Sequence, residues 1–299
     1  MLRVLTPQPG VPPTKISATN FDQSNSNFSN LKYEGENIHI PDSLGIYEVS
    51  SQNHKEELIA RFIEEFGLQP TKSPNVWVGK NWALTINNSS GRYHLSNQLF
   101  NNNLDKNITY QNGVEVAQKF LEKYFNELNF SPIPEETEYF EGQHGDPAKT
   151  TSRKAKIIKL AFGYTIESFP VFYQSNSENF IEVYINSDKD ILKVSFSPNT
   201  SSFNKIGATK TLTPTHSIQV ANQTNRASII NTGYDSPIII DFKNILEGSL
   251  RRVMVEYRID TESKLAYPFY RFEGVLTDNN NQVFDAEIIA PAIELLSNH

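Results

Sequence analysis

The densest gathering of reactive side chains in this 299-residue sequence runs from Glu135 to Asp146. Glu135, Glu136, Glu138, Glu141, His144 and Asp146 crowd one Gly-containing loop. Carboxylates beside an imidazole can share acid–base work or hold a divalent cation. A hydrolase built here would need Glu141, His144 and Asp146 to converge in a cleft, and that is carried as an alternative function. The spacing fits no metal-binding loop, so the segment reads first as a solvated acidic loop, with no metal expected.

Other chemistry thins out quickly. His39, His54, His94, His144, His216 and His299 never pair at i,i+4, so the zincin arrangement is missing and the set reads as exposed surface histidines. Asp278-Asn279-Asn280-Asn281 has the look of a calcium loop. It places Val283 where the sixth-position glycine belongs and Ile289 where the twelfth-position acid belongs, so it reads as a hairpin turn. Nucleophile-elbow, phosphate-loop and dinucleotide signatures are lacking. The sequence has no cysteine, which removes disulfides, thiolate nucleophiles and Cys-ligated metals. No catalytic residues and no cofactor are expected.

Charge narrows the partners. Twenty-seven basic residues against 34 acidic ones give a net charge of −7, which argues against a nucleic-acid binder. The one dense basic run, Arg153, Lys154, Lys156 and Lys159, alternates with apolar residues like the polar side of a strand. No stretch approaches the roughly 18 apolar residues of a membrane span, and Met1 to Leu5 is too short for a signal peptide. Cytoplasmic residence and an anchor upstream of this sequence both stay open.

The elements that must position any site follow from periodicity. Residues 1–40, with Pro7, Pro9, Pro12, Pro13 and an Asn/Ser run, read as a disordered or extended tail. A first unit, 41–105, has a strand at 46–49 and a helix with Leu58, Ile59, Phe62, Ile63 and Phe66 on one face. Asn53 and Glu56 would cap it, and Gly67 and Pro70 would end it. Strands at 76–78, 82–86 and 93–95 follow. The second unit, 106–205, opens on a cap pair, Asn112 and Glu115, and a stripe of Val114, Ala117, Phe120, Leu121, Tyr124, Phe125 and Leu128. Its strands fall near 155–163, 169–174, 179–186 and 190–197, the last two alternating as half-buried antiparallel strands do.

The third unit, 206–299, starts at Thr213-Pro214 with a weakly amphipathic helix over about 215–229. Strands near 237–242, 251–259, 267–276 and 282–290 complete it. The hairpin over 267–290 is the firmest element, although Tyr270, Phe272 and Leu276 fall on one face while Phe269 and Val275 fall on the other. The fold class is therefore α+β, built of two to three helix-plus-antiparallel-meander units, each sheet covered by a helix. Strand edges in such an architecture can accept a peptide. Tyr267, Phe269, Tyr270 and Arg271 are the expected binding residues, and a protein or peptide is the expected partner.

Two phrases, Phe169-Pro170-Val171-Phe172-Tyr173 and Tyr267-Pro268-Phe269-Tyr270, each open a strand with aromatic–Pro–apolar residues and point to duplication. With Ile181-Glu182-Val183-Tyr184-Ile185, with Arg271-Phe272-Glu273-Gly274 and with the strand ending Ile289-Ala290-Pro291-Ala292, they make the chain resemble the PepSY-type module and the extracytoplasmic portions of the YycH and YycI regulators. The style is similar also to uncharacterised membrane-anchored extracytoplasmic proteins of candidate-phylum bacteria. The resemblance implies a non-enzymatic extracytoplasmic domain, tethered to the membrane in the full-length protein, that binds or regulates another protein. It supplies no catalytic residues. A structural cell-envelope component is the remaining alternative.

Overall fold

The computed structural model describes residues 26–36, 38–87, 91–98, 106–125, 130–141, 148–173, 181–197, 199–224, 226–232, 240–260 and 262–294. In chain order the elements are β1 (Asn27–Phe28), β2 (Leu31–Tyr33), β3 (Ser43–Asn53), α1 (Lys55–Phe66), β4 (Gln69–Pro70), β5 (Val76–Val78), β6 (Trp82–Asn87), β7 (Arg92–Asn97), α2 (Tyr110–Tyr124) and β8 (Phe130–Pro132). Then come β9 (Glu138–Glu141), β10 (Ala148–Lys149), β11 (Ile157–Ile166), β12 (Phe169–Phe172), β13 (Ile181–Asn186), β14 (Ile191–Phe196) and β15 (Asn199–Lys210). The chain continues with α3 (Pro214–Thr224), β16 (Ser228–Thr232), β17 (Asn244–Asp260), β18 (Leu265–Asp278) and β19 (Val283–Pro291). The class is α+β. Among the described residues no helix is long and apolar enough to cross a membrane.

These elements pack into two units. One, the hairpin unit, takes Met1–Ser50, Ile166–Asn176 and Phe203–His299, and the other, the two-helix unit, takes Ser51–Thr165 and Ser177–Ser202. This partition differs from three consecutive ranges, because pairings such as Ala266 with Tyr47 join segments far apart in sequence.

In the two-helix unit, α1 buries Leu58 and Phe62 and stops at Gly67, whose φ of 58° is left-handed and whose N–H bonds the Ile63 carbonyl. His54 occupies its cap position, while Asn53 accepts the Lys55 N–H at 2.9 Å. Helix α2 starts a turn earlier than the Asn112–Glu115 pair implies: Thr109 is the cap, and its hydroxyl accepts the Asn112 N–H. Strands β4, β5, β6, β7, β14, β13 and β11 lie side by side in that order, all antiparallel, with β8 and β9 along the far edge of β11 and β10 on β9. Period-2 alternation puts Leu84, Tyr93, Leu95, Val183, Val194 and Phe196 into one core with Phe62, Phe120 and Tyr124 of the helices. The opposite face carries His94, Lys159 and Glu182 beside a small apolar cluster of Phe140, Ile157 and Leu192.

In the hairpin unit, β17 and β18 pair antiparallel from Ile245↔Asp278 to Asp260↔Leu265, with bulges that leave Leu246 and Arg251 unmatched. The second edge of β18 takes β19 from Phe269↔Pro291 to Thr277↔Val283, and β3 at Leu265 and Ala266. Pro268 falls between those two pairings, where its missing N–H costs no ladder bond. Strand β16 lines the far edge of β19, and the far edge of β17 takes β1, β2 and β12, all parallel. Gly274 lets β17 and β18 approach closely, since a Cβ there would lie 2.2 Å from the Ser249 carbonyl oxygen. Val255, Leu250, Tyr270, Phe272, Leu276, Phe284 and Ile288 form the core with Ile218 and Ala221 of α3.

Several expectations are corrected here. Residues 26–36 are not a tail: Phe28 and Leu31 are each 3% exposed, and Asn222 of α3 clamps both the N–H and the carbonyl of Leu31. Helix α3 ends at Thr224, because Ile229 and Ile230 belong to β16. Thr213 does cap it, accepting the His216 N–H at 3.2 Å. The strand expected near 237–242 falls partly outside the described residues, and 240–243 is not a strand. Strand β15 was not anticipated.

Candidate functional site

The register of the hairpin unit lines up one row of polar residues across four strands. Arg252 pairs with Glu273, Glu273 with Glu287, and Glu287 with Asn231. Directly paired residues project from the same face, with strands spaced about 4.8 Å apart. The next row adds Val275 and Asp285. Together with Arg251, Gly274 and Ala286 they line a trough with a cavity volume of about 320 Å³. It lies on the face opposite α3, the face left without an owner by the split of Phe269 and Val275 from Tyr270.

Below the trough a ladder of alternating charge descends into the protein. Arg271 directs Nε to Oε2 of Glu287 at 2.9 Å, and its Nη2 bonds the same oxygen. Its Nη1 faces Glu256 Oε2 at 3.9 Å. Arg258 donates from Nε to Glu256 Oε1 at 2.5 Å and from Nη1 to the Tyr173 carbonyl at 3.4 Å. The Phe172 ring lies 4.8 Å from the Arg258 guanidinium carbon and 5.7 Å from that of Arg271. Side-chain exposure rises along the ladder from 0% at Arg258 and Glu256 to 7% at Arg271 and 22% at Glu287. Two guanidinium groups balance two carboxylates, which is the condition under which charges tolerate burial. At the rim, Arg252 reaches Glu273 at 3.0 Å, and its side chain is 81% exposed.

The four residues expected to bind a peptide are placed differently. Tyr267, Phe269, Tyr270 and Arg271 are all buried, at 3%, 0%, 0% and 6% exposure. Strand β18 lies between β17 on one side and β19 with β3 on the other, so no free edge exists there for a peptide to join. Tyr270 points into the opposite core, where its hydroxyl donates to the Leu212 carbonyl at 2.6 Å. Of the four, Arg271 bonds a trough residue, Glu287. Sequence reasoning missed Glu256, Arg258, Glu273, Asp285 and Glu287. The signal was present: these charges occupy alternate positions of three consecutive strands, with a parity that the hairpin turn fixes.

No family model matches this chain, and no curated protein matches it. Among solved structures, that of YycH from Bacillus subtilis is similar at 15% identity and a TM-score of 0.37, over 80% of this chain and 52% of that one. The chain thus spans about half the length of that protein.

The acidic loop is placed in part. Glu138, on β9, is held by Lys149 at 2.8 Å and Lys159 at 2.9 Å. His144 and Asp146 lie outside the described residues, as does His299. Among the described residues no three His, Cys, Asp or Glu side chains stand together as a metal cage would require.

His94 is not the exposed histidine expected. On the helix-free face of the two-helix unit it is half-buried, and its Nδ1 lies 2.8 Å from the Ser195 hydroxyl. Arg92 beside it bonds Glu182, which Lys159 also approaches at 3.7 Å. Burial, helped by the Lys193 and Arg92 charges and opposed by Glu182, holds the His94 pKa below its ordinary 6.5. Below pH 6.5 the unfolded chain therefore takes up this proton before the folded one, and stability falls as pH falls through that window. Urea unfolding at pH 7.5 and pH 5.5 checks this: His94→Gln should lose less stability between the two than the unsubstituted protein, and equal losses would remove His94 as the cause.

Proposed function

We propose that this protein is a non-catalytic interaction module that binds an extended segment of a protein or peptide along the trough of the hairpin unit. The carrying observation is the row Arg252–Glu273–Glu287–Asn231, fixed charges and an amide presented side by side on a sheet whose backbone is paired on both sides. A rigid row of charges recognises a partner through complementary charge at little ordering cost to itself. The buried ladder beneath holds Glu287 in one orientation. We place the protein outside the cytoplasm, tethered through a segment beyond this chain, on the strand phrases at 169–173 and 267–274. We also read the helix-then-strands order, α1 followed by β5 to β7 and α2 followed by β11, β13 and β14, as a trace of duplication.

Selection of unstructured dodecapeptides by display on the intact chain tests the binding role. Charge reversal by Glu273→Lys should weaken the selected peptides about tenfold or more, since a like charge set against a docked one costs several kcal/mol. Peptides that bind both proteins equally would move the site elsewhere.

A further inference from the structure

We infer that the trough takes a basic side chain, lysine or arginine, from the partner segment, and that its capture by Glu287 hands Arg271 over to Glu256. The inference rests on the reading of the trough as the binding surface and adds both the ligand chemistry and a response to it.

The first half follows from which groups around the cavity lack partners. Both hydrogen bonds from Arg271 to Glu287 fall on Oε2, and among the described residues Oε1 has no partner. Asp285 has none either. Glu273 is engaged through Oε2 by Arg252, whose exposed side chain a ligand displaces at small cost. Three carboxylates thus offer acceptor capacity, against two rim arginines. An ammonium group carries three donors and a guanidinium five, and either suits such a set. An acidic segment would face the same three carboxylates, with the rim cation Arg252 already engaged by Glu273.

The second half rests on a buried orphan. Glu256 is 0% exposed, yet its Oε2 accepts no hydrogen bond among the described residues. Arg271 Nη1 lies 3.9 Å from it, about 1 Å beyond hydrogen-bond distance. One guanidinium therefore stands between two carboxylates and satisfies only the outer one. A ligand cation on Glu287 replaces the charge that Arg271 supplied there, and the guanidinium then gains by closing on Glu256, where an unsatisfied carboxylate oxygen in low dielectric is most costly. Ligand and Glu256 are coupled through Arg271, so removing the Glu256 charge must weaken a ligand it never touches.

Pentalysine and pentaglutamate, titrated calorimetrically into the intact protein, separate the possibilities. Pentalysine should bind and pentaglutamate should not, and Glu287→Gln should weaken pentalysine about tenfold. Glu256→Gln, which preserves shape, should weaken it about fivefold. Independently of those variants, the Arg271 side-chain Nε resonance should move when pentalysine is added to the unsubstituted protein. Preference for pentaglutamate overturns the ligand class. Binding of pentalysine with unchanged affinity in Glu256→Gln and a stationary Arg271 resonance overturns the hand-over. If display-selected peptides bind at Glu273 while pentalysine does not, this inference fails and the interaction module stands; if neither binds, the module fails as well.

Discussion

Arg258→Met should lower the unfolding free energy by about 3–5 kcal/mol, the cost of stranding a buried carboxylate without its partner. Arg258 and Glu256 are both 0% exposed, and the variant removes the 2.5 Å contact to Glu256, the bond to the Tyr173 carbonyl and the stacking over Phe172. Methionine fills much of the same volume, so the loss reports charge rather than a cavity. The companion variant, Glu256→Leu with Arg258→Met, removes both charges and should recover most of the stability, because apolar replacement of a whole buried pair is often neutral or better. Urea denaturation of the two variants checks this. Equal destabilisation of single and double variants would mean that packing at these positions, and not the ionic ladder, carries the energy.

Phe62→Ala should cost the two-helix unit about 3–5 kcal/mol, the range for truncating a fully buried aromatic. Phe62 is 0% exposed, and its ring meets Tyr124 at 5.3 Å, Phe196 at 5.5 Å, Phe66 at 5.9 Å and Phe125 at 6.2 Å. It thereby joins α1, the end of α2 and β14. Of the other ties between the helices, Phe66 meets Tyr124 at 5.7 Å, Arg61 donates to the Tyr124 carbonyl, and at the surface Lys123 pairs with Glu65. Surface pairs of this kind are worth at most about 1 kcal/mol and cannot replace the ring. A fluorescent probe on α1 should report an early unfolding transition in the variant, and a transition unchanged from that of the unsubstituted protein would displace Phe62 from the centre of this core.

The legible parts of the fold are those where one period dominates. The stripe from Val114 to Tyr124 and the alternation of β13 and β14 leave little choice, and the end of α1 at Gly67 follows from a left-handed position and a nearby proline. The parts that escaped depend on partners distant in sequence. Strands β1 and β2 hold only five residues and lie in an Asn/Ser-rich stretch; Phe28 and Leu31 become strand residues because β17, more than 200 positions later, offers them an edge. Asn199–Lys210 has too mixed a pattern to announce β15. The site shows the same limit. Phe269 and Val275 on the second face of the hairpin pointed to a covering there, but aromatic residues near a proline drew attention away from the charges. Reading Glu256, Arg271 and Glu287 together requires the register of two hairpin pairings, which periodicity alone does not supply.

The trough as binding surface is tested most directly by site-specific photo-crosslinking of a display-selected peptide. A photoreactive residue replaces Arg252 at the trough rim in one protein and Thr85 on the helix-free sheet face of the two-helix unit in another. The account predicts a crosslink at 252 and none at 85. A crosslink at 85, or none at 252 while the peptide stays bound, would contradict it.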